Sequence, residues 1–139
     1  MTLQNIKERY DGVQTLFKKI DSDGCLFLCL CTIIEEVTGR EADIAGIVQV
    51  SRKRGWLAND YTVNDSLSLL NYFTGKKFKR ESVRKLPAAV SDNMFTVEKW
   101  HNEKTGYTHF KRRFVDTVLN SVTVKQGKLI EYYIYSYAS

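Results

Sequence analysis

One stretch constrains this chain more than any other: Cys25-Leu26-Phe27-Leu28-Cys29-Leu30-Cys31-Thr32-Ile33-Ile34. It is apolar on every side, continues as Glu35-Glu36-Val37-Thr38 and stops at Gly39, a residue suited to ending a helix. A span of about 15 residues favours a helix over a strand. A helix with no polar face has to lie at the centre of a fold, covered on most sides. It also falls short of the roughly 18 apolar residues that a membrane helix needs. The chain has 139 residues, the size of one domain spanning 1–139. That is enough to wrap such a helix without metals or disulfides as staples.

The wrapping elements follow from pattern. Ile6, Tyr10, Val13, Phe17 and Ile20 make a helical apolar stripe, which predicts a helix over Leu3–Ile20 with a break at Asp11-Gly12. Asp21-Ser22-Asp23-Gly24 is a turn and capping cluster that leads into Cys25. Two further helices are expected, Asp43–Arg54 before Gly55 and Asn64 or Asp65–Phe73 before Gly75. Beyond residue 76 the character changes to strand. Phe95–His101 and Tyr107–Arg112 read as a hairpin around Asn102–Gly106, followed by strands Ser121–Lys125 and Leu129–Tyr137. Helices to about residue 75 and an antiparallel sheet over about 93–137 make an α+β architecture.

Charge adds less. The net charge is +5, from 21 basic and 16 acidic residues. Basic clusters stand at Arg52-Lys53-Arg54, Lys76–Arg80, Arg84-Lys85 and Lys111-Arg112-Arg113. We expect them to be solvated faces and helix ends. Nucleic acid stays open as a partner, with no binding motif to support it. No membrane partner is expected. The polar start Met1–Asn5 lacks the layout of a secretory signal, which points to a cytoplasmic protein.

The three cysteines all lie in the apolar run, so no disulfide framework is expected. No second ligand pair accompanies them, so no metal or cofactor is expected either. Cys29 and Cys31 are mid-helix and belong to the core. Cys25 is different because it opens the helix. There the helix dipole and unpaired N–H groups favour the thiolate and can hold an oxyanion. Gly24 lets a substrate carbonyl approach the backbone. The candidate base is His109; Thr108 and Phe110 face one way along their strand and His109 the other, expected to be onto the cysteine helix. Asp116 is the candidate for orienting the imidazole. His101 is the alternative base, and Glu98 the alternative orienting group.

Asp23-Gly24-Cys25 opening a buried helix, then Thr108-His109-Phe110 in a strand, then Asp116 and a closing strand pair resemble the papain-like cysteine peptidase superfamily. The nearest branches are the double-glycine leader peptidases and NlpC-type cell-wall hydrolases. The stretch Asp116–Gly127 is similar to the C-terminal signature of a small family of bacterial plasmids and phages thought to be papain-like. The resemblance covers about residues 20 to 135. It implies a papain-like fold, Cys25 as nucleophile, His109 as base and Asp116 as orienting residue. Papain-like enzymes carry an oxyanion donor, often glutamine, just before the cysteine. Here Ser22, Asp23 or the Gly24 backbone stands there instead. The implied activity is peptidase- or amidase-type acyl transfer on a peptide or protein substrate. The alternative is a catalytically silent binding protein on the same scaffold, engaging a host protein or a phosphate-bearing ligand through its basic patches.

Overall fold

A computed structural model describes residues 25–89, 91–106, 108–112 and 127–138; at Cys25 it describes the backbone alone. The expected helix Leu3–Ile20, the strand Ser121–Lys125 and the residues Ser22, Asp23, Gly24 and Asp116 lie outside the described residues.

The first described helix, α1, is Cys25–Thr38. Residues 27 to 35 are all buried, Glu35 included. The carboxylate that this buries is put to use, since Glu35 Oε1 accepts the Ala42 N–H at 2.8 Å. Gly39 follows at φ +68°, the left-handed conformation that ends the helix.

Helix α2 is Ile44–Lys53, with Asp43 as N-cap accepting the Gly46 N–H and Arg54 as C-cap. Helix α3 is Ser66–Thr74, with Asp65 as N-cap accepting the Ser68 N–H and Gly75 as a left-handed C-cap. Aspartate suits the first position because its carboxylate meets N–H groups that the helix leaves unpaired.

Four strands follow: β1 Phe78–Val83, β2 Met94–His101, β3 Thr108–Arg112 and β4 Lys128–Tyr137. They form one antiparallel sheet in the order β1-β4-β2-β3. Helices followed by an antiparallel sheet is the α+β arrangement expected.

The sheet starts earlier than residue 93, because β1 pairs with β4 from Phe78↔Tyr137 to Val83↔Tyr132. Only its first residue is buried. As an edge strand it buries little, so Lys79, Arg80 and Glu81 obscure it in the sequence. Asn71 Oδ1 of α3 accepts the Phe78 N–H at 2.7 Å and fixes where β1 begins.

The core lies between the helices and one sheet face. Side chains alternate across a strand, so Phe95 and Val97 of β2 share a face with Tyr133 and Tyr135 of β4. Phe95, Val97 and Tyr135 join the same buried cluster as α1 residues 27 to 34, Leu69 and Leu70. The Tyr135 hydroxyl hydrogen-bonds Ser66 Oγ of α3 at 3.1 Å, so the buried phenol is satisfied. On the opposite face, Thr96, Ile134 and His109 are also buried.

Candidate functional site

The candidate nucleophile is the first residue of α1. From there the sequence is a run with no polar side to expose, which is what makes it helical and central. This position carries the positive end of the helix dipole and its unpaired N–H groups. Cys29 and Cys31 are buried to 1% and 0% exposure, in keeping with core residues.

Among the strands, α1 packs most closely on β3, which carries His109. One buried side chain joins the two elements. Arg112 Nη1 donates to Thr32 Oγ1 at 2.9 Å and to Glu36 Oε2 at 2.7 Å. The Arg112 guanidinium also stands 5.6 Å from the Phe95 ring centre. Arg112 is only 5% exposed. The expectation that the Lys111–Arg113 run is a solvated face is therefore corrected at Arg112, which a carboxylate and a hydroxyl on α1 draw inward.

The hairpin register fixes the two histidines. Trp100 stands opposite His109 and His101 opposite Thr108, with Val97 opposite Arg112 at the other end. No slip interrupts this ladder, so alternation puts His109 on the face opposite Arg112. The face that α1 covers is thus the face of Phe110 and Arg112. The expectation that His109 points onto the cysteine helix from that face is not met. His109 is 3% exposed and shares its face with Thr96, Glu98 and Trp100. His101 is half-buried on the α1 side, its Nδ1 3.2 Å from the Thr108 hydroxyl. The two histidines occupy neighbouring rungs and opposite faces.

β3 is the last strand in the order, so His109 and α1 sit on either side of a sheet margin. Thr32 lies about 10 Å along the helix axis from Cys25, at a rise of about 1.5 Å per residue. His109 lies about 10 Å along the strand from Arg112, at about 3.3 Å per residue. The Arg112–Thr32 bond ties the far ends of these two equal spans.

Glu98 stands opposite Lys111, two rungs diagonally from His109 on the same face. Its Oε1 accepts the Trp100 indole N–H at 3.0 Å. The turn is shaped by Asn102, whose Oδ1 accepts the N–H groups of Lys104 and Thr105. Gly106 supplies the positive φ of +74° that returns the chain to β3.

Among the described residues, no three His, Cys, Asp or Glu side chains gather as a metal site. No described helix is long and apolar enough to cross a membrane. Several basic side chains stand over aromatic rings: Arg54 at 4.7 Å from the Tyr72 centre and 5.5 Å from Trp56, and Arg80 at 4.7 Å from Tyr133. Sequence reasoning named these basic clusters but not their aromatic partners, which only the fold brings together. Compared with family models, curated proteins and solved structures, the chain matches none.

Proposed function

We propose that the chain is a cysteine hydrolase of papain-like architecture. Cys25 is the nucleophile, His109 the base and Asp116 the group that orients the imidazole. One observation supports the reading above others: the buried helix that begins at Cys25 packs against the strand that carries a buried histidine. The Cys25 thiolate attacks an amide carbonyl and N–H groups at the start of α1 hold the resulting oxyanion. Collapse of that intermediate expels the amine, protonated by the imidazolium, and leaves a thioester. Water, deprotonated by the same histidine, then releases the acid and restores the thiol. The face on which His109 lies sets a geometric condition. The reading requires the ring and the thiol to come together around the outer margin of β3.

Alkylation of Cys25 by iodoacetamide at pH 7 tests the reading. The native thiol should react about tenfold faster than the same thiol in denaturant, because a lowered pKa raises the thiolate fraction. Cys25→Ala should remove the fast label and any amide hydrolysis. A native rate no higher than the denatured rate would end the proposal.

A second reading is a binding protein that recognises phosphate-bearing ligands. It is favoured by the guanidinium groups of Arg54 and Arg80, which are exposed, stand over rings and have no carboxylate ion pair among the described residues. Binding to a nucleic acid that weakens steeply between low and moderate salt supports it. Binding that ignores salt, or none, rejects it.

A further inference from the structure

Strand β1 closes one margin of the sheet, and its outer edge is open. The Tyr137 N–H donates to the Asn93 carbonyl, away from β1, and the Phe78 N–H donates to Asn71 Oδ1, away from β4. The Phe78↔Tyr137 rung therefore exchanges no ladder bonds, and such rungs alternate along an antiparallel pair. Lys79 and Glu81 then bond β4, while the backbone N–H and carbonyl groups of Arg80 and Ser82 point outward. No described residue bonds those outward groups. Residues 79 to 82 are all exposed. The edge thus presents two donors and two acceptors at the spacing that another strand takes up.

The charge along this edge is almost all of one sign. Residues 76 to 85 hold six basic side chains, Lys76, Lys77, Lys79, Arg80, Arg84 and Lys85, against the single carboxylate of Glu81. All seven are exposed. Their excess equals the net charge of +5 carried by the whole chain. Glu81 stands 3.8 Å from Lys79 with both side chains in solvent, a pair worth little. Lys76 and Arg80 stand over the Tyr137 and Tyr133 rings at 5.3 and 4.7 Å, which positions them without neutralising them. Neighbouring elements add few anions. Glu131 of β4 is engaged by Lys99 of β2, and Asp92 precedes β2, two places away in the sheet. Helix α3, which packs on β1, brings only its cap Asp65, which accepts from Ser68. A second copy of this edge would set these cations against their like, which destabilises strand pairing.

We propose that β1 is a docking strand for an extended acidic segment of a partner protein, which adds to the sheet beyond β1. The segment's backbone bonds the outward groups of Arg80 and Ser82. Its carboxylates meet Lys79 on one side of the sheet and Arg80 on the other, with Lys76, Lys77, Arg84 and Lys85 at the two ends. A nucleic acid would use the charge but leave the row of backbone donors and acceptors unmatched, so a peptide is the better complement. The site lies on the opposite margin of the sheet from β3 and stands apart from the thiol reading.

Titration of the whole protein with a blocked eight-residue peptide of alternating glutamate and threonine tests it. The peptide should bind, weaken as salt rises and slow hydrogen exchange at the Arg80 and Ser82 amides. Exchanging its glutamates for lysines, or methylating every second backbone nitrogen in either frame, should each weaken binding at least about tenfold. Ser82→Pro removes an outward N–H without touching the ladder and should weaken the peptide about tenfold. Lys77→Glu combined with Lys85→Glu should do the same through charge. Both lysines are exposed, so if circular dichroism shows Ser82→Pro to be unfolded, this pair and the methylated peptides decide. No binding at millimolar concentration, or binding that methylation and Ser82→Pro leave unchanged, overturns the proposal. So does a short single-stranded oligonucleotide that binds more tightly than the peptide and displaces it, which gives the surface to the phosphate reading instead.

Discussion

Replacing Arg112 by Met removes a charge that links α1 to β3 while keeping most of its unbranched stem. In the native protein the guanidinium reaches both Thr32 and Glu36 and is nearly shut off from water. Deleting one member of a fully buried ion pair costs about 3–5 kcal/mol, mostly because the abandoned partner stays buried. Here the abandoned carboxylate keeps 32% of its side chain in solvent, so part of that cost is recovered by hydration. Thr32 adds a smaller loss, since its buried hydroxyl gives up one donor but still donates to the Cys29 carbonyl at 2.6 Å. The net expectation is a loss of about 2 kcal/mol. With a urea slope of about 1.5 kcal/mol/M, the unfolding midpoint should fall by about 1.3 M. Urea denaturation followed by circular dichroism measures this, and an unchanged slope shows that stability alone has altered. Glu36→Gln keeps a hydrogen-bond acceptor and should cost less than half as much. A loss below about 0.5 kcal/mol for Arg112→Met, the size of an exposed pair, would refute the reasoning.

Further outcomes follow from single contacts. Asp65→Ala should cost about 1 kcal/mol in thermal or urea unfolding, and Asp65→Asn much less, because asparagine still caps α3. Hydrogen bonds from the Ser68 N–H and hydroxyl hold the Asp65 carboxyl below its ordinary pKa. Its contribution is therefore present at neutral pH and is lost as pH falls through the folded value, a loss that Asp65→Asn should abolish. Gly75→Ala should cost about 1 kcal/mol, since φ is +72° and the space around it is open, so backbone strain is the whole penalty. Burial pushes the Tyr135 phenol above its ordinary pKa of 10.0, against the opposing Ser66 and Arg80. The unfolded chain then gives up that proton first. Stability is full below pH 10 and declines as pH rises through the folded value, and Tyr135→Phe should make that decline shallower.

The helices were legible because their signals are local. The apolar run announced α1, and the aspartates and glycines at its neighbours' ends announced α2 and α3 to within a residue or two. The strand β1 was not, because a solvent-facing edge strand with one buried residue carries no apolar alternation to read. Arg112 was misread for the opposite reason. Its neighbours in sequence are basic, while the Thr32 and Glu36 that bury it lie about eighty residues away, at separations of 80 and 76. The face of His109 was also a long-range matter. Alternation relates it to Thr108 and Phe110 from sequence alone, but which side α1 covers is decided by where Arg112 and Val97 pack. The helical character of the run from Cys25 was legible because it needs only the apolar residues that follow.

The pH dependence of Cys25 alkylation tests the central proposal most directly. Cys29 and Cys31 are buried, so the native reaction reports on Cys25. The rate should rise with an apparent pKa well below the 8.5 or so of an unfolded thiol. His109→Ala should return it to that value, and His101→Ala should leave it low. A native thiol that titrates near 8.5, or a low value that survives His109→Ala, contradicts the account.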